Sequence, residues 1–356
     1  GTDPLRWARQ FGQMADSGIT VARSFMGVPG GNTEAGWRYR DAMVQLAARS
    51  GIGLFYEGVS SVTTDREESL RRAEIAAAAA ERYKQAPGWF IDIRNEPSLT
   101  IGKGEADAPE FRRWLTERYG TLDALKAVWG DELTEKSLDE ITIAPMKGPW
   151  SSMRAVDTER FMAFAMRRWT ADAALAAKGV DPTRLVSVGH LQGFGDLSTV
   201  FCPIEASRDM DFSNRHYYGD ITRYAPELME VDMRALGKAP STGEFGATSH
   251  PGLAAHPVYE TEDRAARRYA YVAHEAFGLG ALFACNWHWQ DPIEDIFPCG
   301  VLQSDGAPRD RFYAYRNLAL LLGRFRPSYT PPAVWFVIPD SHRLGAAKMD
   351  IGSAMV

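Results

Sequence analysis

The sequence has few cysteines, no excess of positive charge and no long apolar run, and each shortage excludes a class of protein. Three cysteines occur in 356 residues, Cys202, Cys285 and Cys299. They form no CxxC pair, so neither a structural zinc site nor a disulfide framework is indicated. The formal net charge of −6 disfavours a nucleic-acid binder, because such proteins present a basic field. We therefore expect buried thiols, no metal, no other cofactor and no nucleic-acid partner.

Membrane-spanning and export signals are also missing. The apolar run at Ala76–Ala80 is short and flanked by charged residues, so we expect no membrane partner. No signal peptide follows Gly1, which favours a cytoplasmic location slightly over secretion. Export stays open, because a chain that begins with glycine can be a processed product.

Two glycine motifs are absent as well. No G-x-G-x-x-G loop follows an early strand, which weakens the alternative of a doubly wound open sheet. No G-x-S-x-G elbow occurs, which disfavours a Ser-His-Asp hydrolase.

Short apolar strands alternate with helical segments along the chain. The predicted strands lie at 19–26, 52–56, 89–94, 184–189, 211–218, 240–244 and 281–287. The predicted helices lie at 5–15, 37–49, 66–84, 157–178, 226–236, 262–277 and 311–322. Two further short helices, 111–119 and 122–129, interrupt the alternation. Seven strands after a leading helix predict a (β/α)8 TIM barrel whose first strand is absent from the N-terminus.

The missing strand leaves two possibilities for the domain organisation. It lies upstream of Gly1, or the strand-like segment 333–338 replaces it. We favour a catalytic barrel at 1–326 with a helical insertion at about 98–150. Residues 327–356 are then a linker and the start of a truncated second domain.

The segment 88–97 ends a buried strand in a polar pair. Residues 89–93 are mostly apolar, and Pro97 cannot continue a strand ladder, so Asn95 and Glu96 stand at the strand's carboxyl end. Ligands bind at this end in parallel α/β proteins. A turn with a solvated carboxylate is an equal alternative for this segment alone.

Glu244 ends another apolar strand and can face Glu96 across the barrel mouth. Retaining glycosidases hold two carboxyl groups about 5–5.5 Å apart and inverting ones about 6.5–9.5 Å apart, and the sequence does not decide between them. Arg23 and Tyr218 are candidate donors to Glu244. The alternative is that each glutamate is a salt-bridge partner on the rim.

Aromatic and polar residues at other strand ends fit a sugar ligand. Trp287 and Trp289 are candidates for stacking on a pyranose ring. His216 is expected to form hydrogen bonds beside Tyr218 rather than bind metal, because no second histidine or carboxylate lies near it at ligand spacing. Asp291 is expected on an acidic rim that contacts sugar hydroxyls or only solvent.

These residues, taken in order, resemble glycoside hydrolase clan A, whose members are retaining (β/α)8 enzymes. The resemblance rests on Asn95-Glu96-Pro97, His216-x-Tyr218, Gly243-Glu244-Phe245-Gly246 and Trp287. It implies that Glu96 is the acid/base, that Asn95 binds the sugar 2-hydroxyl, and that Glu244 is the nucleophile. It also implies that Tyr218 and Arg23 position Glu244.

Within the clan, the chain is most similar to family 42 β-galactosidases. The similarity covers the helical segment 111–130, and 300–306 before the last helix. Family members often carry a cysteine-bound zinc in the insertion, which this chain cannot form, and the sequence around Glu244 differs from theirs. The His216-x-Tyr218 pair matches family 5 equally well.

The expected function is a retaining, double-displacement β-glycoside hydrolase, exo-acting and β-galactosidase-like, that acts on an oligo- or polysaccharide. The alternatives are a β-mannosidase, an endo-β-glucanase or mannanase of the same clan, and a non-catalytic glycan-binding barrel. A homo-oligomer is possible.

Overall fold

Seven parallel strands form a nearly closed barrel in chain order. The computed structural model describes residues 3–24, 32–57, 62–97, 106–143, 152–190, 203–217, 237–249, 260–278, 280–291, 298–325 and 328. The strands are β1 Val21–Ser24, β2 Gly53–Glu57, β3 Trp89–Asn95, β4 Val186–His190, β5 Asn214–Tyr217, β6 Thr242–Phe245 and β7 Ala284–Asn286. The predicted α/β barrel with seven strands is confirmed.

Helices connect the strands, as the parallel topology requires. They are α1 Pro4–Asp16, α2 Glu34–Arg49, α3 Arg66–Arg82, α4 Asp107–Tyr119, α5 Leu122–Trp129, α6 Met153–Val180, α7 Pro203–Ser207, α8 Glu262–Gly278 and α9 Asp310–Arg324, with 3-10 turns at Gly130–Glu132 and Leu138–Glu140. Side-chain caps fix several starts: Asp3 accepts from the Leu5 amide at 2.9 Å, and Asp65 accepts from the amides of Glu67 and Glu68. The short α7 is not among the helices predicted from the sequence. The segments 226–236 and 333–338 lie outside the described residues.

Side chains alternate between the two faces of the strands and so build two apolar layers. On β3, Ile91 and Ile93 face the alanines of α3 and the long helix α6. Phe90 points the other way and joins Phe55, Phe212 and Phe283 inside the barrel. These rings fill the barrel below its mouth, so polar side chains at the strand ends stand on an apolar floor.

In the part of the chain that the structure describes, the barrel has a gap between β1 and β7. These two strands approach each other without a shared ladder in the described residues. Between them lies a cleft of about 310 Å³, lined by residues 18–21, residues 281–285 and apolar side chains of α9 such as Leu318. The cleft lies where a barrel with one more strand would be closed.

The helices α4 and α5 pack beside the barrel on a separate apolar cluster. The cluster includes Phe111, Trp114 and Trp129, all buried. Asp157 of α6 accepts hydrogen bonds from Trp129 Nε1 at 2.8 Å and Tyr119 Oη at 2.6 Å, which ties this unit to the barrel helices. The proposed division into a barrel, an insertion and a second domain stays a prediction. In the described part of the chain, every helix is too short or too polar to cross a membrane.

The turn before β3 predicts a difference between two glycine substitutions. Gly88 and Gly51 both have φ in the left-handed region, +63° and +70°. A Cβ at Gly88 would lie 3.1 Å from Gly53 Cα, whereas one at Gly51 would have no atom within 4 Å. We expect Gly51→Ala to cost about 1–2 kcal/mol through the left-handed backbone. Gly88→Ala should cost about 1–3 kcal/mol more through overpacking. Urea unfolding measures both, and equal losses would contradict the close approach of the two strands.

Candidate active site

A buried arginine joins three strands at the barrel mouth. Arg23 of β1 donates from Nε to Asp92 at 2.7 Å and from Nη2 to Asn95 Oδ1 at 2.9 Å. Its Nη1 forms an ion pair with Glu244 of β6. Only 4% of the Arg23 side chain is exposed, so its charge depends on these partners rather than on water. Burial alone would lower the pKa of Arg23, but Asp92 and Glu244 raise it overall, so the guanidinium stays charged.

Asn95 and Glu96 both reach this mouth although they are consecutive residues. Consecutive side chains of a regular strand point to opposite faces. Here the register between β3 and β4 shifts between Asp92 and Asn95. Glu96 has φ of +40°, in the left-handed region that residues other than glycine rarely occupy. This break in the strand geometry lets Arg23 bind Asn95 while Glu96 turns toward the opposite side of the mouth.

Two glutamates and a histidine converge there. His216 Nδ1 lies 2.8 Å from Glu96 Oε1 and 3.6 Å from Glu244 Oε1. Nitrogen and carboxylate oxygens of the three residues all lie within 4.8 Å of one another. The two glutamate oxygens, within 4.8 Å of each other, are closer than the separation of about 6.5–9.5 Å found in inverting enzymes.

The surroundings set the protonation of these groups. Burial, and then the charge of Glu244, raise the pKa of Glu96 to about 7, against the opposing effect of Arg23. Burial, and then the charge of Arg23, hold the pKa of His216 well below its usual value, so the imidazole is neutral. A neutral imidazole can accept a hydrogen bond from protonated Glu96. As the other tautomer, it can donate a hydrogen bond to the ionised carboxylate.

Two residues that support the site were missed in the sequence. Asp92 is fully buried and binds Arg23. Its carboxylate also accepts a hydrogen bond from the Gly189 amide at 3.0 Å. Its signal was a carboxylate between Ile91 and Ile93 in a buried strand. Gly189 makes room for the site, since a Cβ there would lie 2.6 Å from His216 Nε2 and 3.0 Å from Arg23. Nothing in the local sequence distinguished this glycine.

Of the two tryptophans predicted to stack on a sugar, one lies next to Glu244 and the other packs in an apolar cluster. Trp287 follows β7, and its amide donates to Phe245 O at 2.7 Å, next to Glu244. Trp289 packs against Phe312 with ring centroids 5.9 Å apart, in the apolar cluster of α8 and α9, and is not brought together with the glutamates. Tyr218 lies outside the described residues.

One expectation from the sequence was wrong, and so was the reason given for another. Asp291 is fully buried rather than on a rim, because Arg309, at 2.5 Å, and the Gly300 amide, at 2.7 Å, enclose its carboxylate. His216 does have carboxylates at ligand distance, because the fold brings Glu96 and Glu244 to it from distant parts of the chain. The expected buried thiols are confirmed for Cys285 and Cys299, while Cys202 lies outside the described residues.

Comparisons with known proteins show the family and the fold of the chain. Residues 63–319 match the family model of glycoside hydrolase family 42, described as beta-galactosidase. A beta-galactosidase of Arthrobacter sp. is 34% identical over 120 residues, 31% of this chain and 17% of that protein. The beta-galactosidase Bga of Halorubrum lacusprofundi is 25% identical over 274 residues, 70% of this chain and 38% of that protein. The alignments thus span less than half of these relatives.

Solved structures show the same fold at low sequence identity. A catalytic mutant of a GH42 beta-galactosidase from G. stearothermophilus superposes with a TM-score of 0.74 at 14% identity, covering 96% of this chain and 55% of that one. A family 5 protein from Streptomyces cattleya, in complex with Manb1-4GlcNAc, gives a TM-score of 0.61 at 14% identity, covering 92% and 78%. Both support the barrel.

The proximity of the two glutamates predicts a coupled titration. We expect Glu96 to titrate with a pKa of about 7, and Glu244→Gln to lower that pKa because the neighbouring negative charge is removed. The pKa should stay above the usual glutamate range because burial remains. Carbon-13 NMR of labelled glutamate carboxyls measures both values, with Glu96→Gln assigning the signal. An unchanged pKa in Glu244→Gln would contradict the coupling.

Proposed function

Because the chain belongs to glycoside hydrolase family 42, the beta-galactosidase family, we propose that it is an exo-acting, retaining β-galactosidase. The observation that carries the mechanism is the placement of Glu96 and Glu244, whose oxygens lie within 4.8 Å. That spacing accommodates attack by one carboxylate on the sugar while the other protonates the leaving group. The substrate is a β-linked galactoside at the end of an oligo- or polysaccharide.

In the first step, Glu244 attacks the anomeric carbon and Glu96 transfers its proton to the departing glycosidic oxygen. The ion pair with Arg23 balances the charge of the Glu244 carboxylate and fixes its orientation. The raised pKa of Glu96, about 7, keeps this carboxyl protonated in a large fraction of molecules near neutral pH. The product is a covalent galactosyl ester of Glu244 and a free alcohol.

In the second step, a water molecule hydrolyses the ester, and Glu96 accepts its proton. Esterification removes the negative charge of Glu244, one of the causes that raise the pKa of Glu96. The pKa of Glu96 therefore falls when the ester forms, and the carboxylate that has just lost its proton is poised to act as a base. His216 can satisfy either protonation state of Glu96 through its Nδ1 atom.

Two further residues hold the sugar in this proposal. Arg23 donates a hydrogen bond to Oδ1 of the Asn95 side chain. This bond orients the side-chain amide so that its NH2 group donates to the sugar 2-hydroxyl. Trp287, anchored beside β6, supplies an apolar face for the pyranose ring. Trp289 has no role in the proposal, because its indole packs in the apolar cluster.

Covalent trapping tests the proposed function. A 2-deoxy-2-fluoro β-galactoside with a good leaving group should label Glu244. The fluorine slows hydrolysis of the ester, while the good leaving group keeps formation of the ester fast enough for it to accumulate. Peptide mass spectrometry should place the adduct on Glu244, with Glu244→Gln as the unlabelled control. The same fluorosugar in the manno and gluco series tests the alternatives, and labelling by one of them alone would replace galactose as the substrate. No adduct with any sugar would overturn the retaining mechanism.

Azide rescue tests the role of Glu96 separately. Glu96→Ala should lose at least about 10²-fold in kcat/KM on substrates with poor leaving groups, the usual contribution of a general acid. Azide should restore part of the turnover of activated aryl galactosides, because the anion attacks the ester without needing a base. The product should be β-galactosyl azide, detected by NMR. Wild-type enzyme with azide is the control, and a variant that azide does not accelerate would speak against Glu96 as acid/base.

A further inference from the structure

We propose that Glu96, His216 and Glu244 also form a binding site for a divalent transition-metal ion such as Zn²⁺. The proposal of the binding site is based on the geometry of the described residues. A second part, that the bound ion reversibly inhibits hydrolysis, rests on the function proposed above.

The distances between the three ligand atoms fit a small metal ion. Zinc bound by nitrogen and oxygen at about 2.0–2.1 Å in a tetrahedron has ligand atoms about 3.3–3.4 Å apart. His216 Nδ1 lies 2.8 Å from Glu96 Oε1 and 3.6 Å from Glu244 Oε1, values on either side of that separation. All three atoms lie within 4.8 Å of one another, so small rotations of the glutamates bring them around one centre.

The ligand types favour a transition metal over Mg²⁺ or Ca²⁺. A neutral imidazole with two carboxylates is a donor set for zinc, whereas magnesium and calcium prefer oxygen ligands only. The ring of His216 is fully buried and fixed, because Gly189 leaves just enough space behind it. Glu96 is the most exposed of the three, with 28% of its side chain accessible, which provides a path for entry and a position for bound water.

The charge of the site also favours a cation. Glu96, Glu244 and Asp92 carry three negative charges when ionised, while Arg23 and Arg215 supply positive charge near His216. A divalent ion would balance negative charge that remains on the carboxylates and take the place of the proton that Glu96 otherwise holds. Arg23 already binds Glu244 and competes for that carboxylate, so the ion must share it.

Occupancy by the metal would remove both groups that the proposed reaction needs. The acid/base would be coordinated instead of protonated, and the nucleophile would be held away from the anomeric carbon. Inhibition should therefore be competitive with the galactoside and reversed by a chelator.

Calorimetric titration with zinc chloride tests the binding site without measuring activity. We expect one ion per chain in the wild type, and an affinity at least tenfold weaker in Glu96→Gln and in His216→Asn. The exposed His274 of α8, whose Nδ1 contacts its own helix, gives the matched control His274→Gln, which should bind as the wild type does. Circular dichroism and thermal unfolding verify that each variant is folded, and Glu96→Gln keeps the test valid if His216→Asn does not fold. Magnesium chloride should give no binding heat.

The results separate the two proposals. Unchanged zinc affinity in Glu96→Gln and in a folded His216→Asn would overturn the metal site, as would loss of binding in His274→Gln. Zinc binding at the cluster without inhibition of a measurable galactosidase activity would overturn the inhibitory role. Zinc binding at the cluster in a protein that hydrolyses no glycoside would keep the metal site and reject the proposed function.

Discussion

The buried ion pairs of Arg23 are the interaction on which the rest of the site depends. Arg23 comes from β1, and its partners Asp92 and Glu244 come from β3 and β6, so one guanidinium fixes three parts of the barrel mouth. Removing one member of such a buried set leaves an uncompensated charge, which typically costs about 3–5 kcal/mol. The barrel can place an ionised carboxylate above a floor of phenylalanine rings because this positive charge is there to balance it.

The same charge separates the two glutamates in their chemistry. Glu244 shares an ion pair with Arg23, while Glu96 faces the neutral ring of His216 and has a pKa of about 7. Two side chains of one type therefore differ because of what faces each one. In the proposed mechanism this difference makes Glu244 the nucleophile and Glu96 the acid. The loss of charge on Glu244 during the reaction then turns Glu96 from an acid into a base.

Much of this arrangement could be predicted from the sequence, because it follows from periodicity and strand ends. The alternation of strands and helices predicted the barrel. The polar ends of apolar strands predicted that Glu96 and Glu244 lie at the barrel mouth and that Arg23 donates to Glu244, and this last contact is present. The burial of Asp291 could not be predicted, because its partners Gly300 and Arg309 come from beyond its own loop. Nor could the space that Gly189 leaves, since a missing side chain gives no local pattern. The left-handed backbone of Glu96 likewise depends on pairing between two strands.

The cleft between β1 and β7 has a consequence for how β1 is held in the barrel. In the described residues, β1 is hydrogen-bonded to the sheet through β2 on one side, and its other side borders the cleft. The Arg23 side chain on β1 pairs with Asp92 of β3 and Glu244 of β6, both of which lie beyond β2. The ion pairs of the site therefore also attach this strand to distant parts of the sheet. One side chain both balances the charge of the site and holds the strand that borders the cleft.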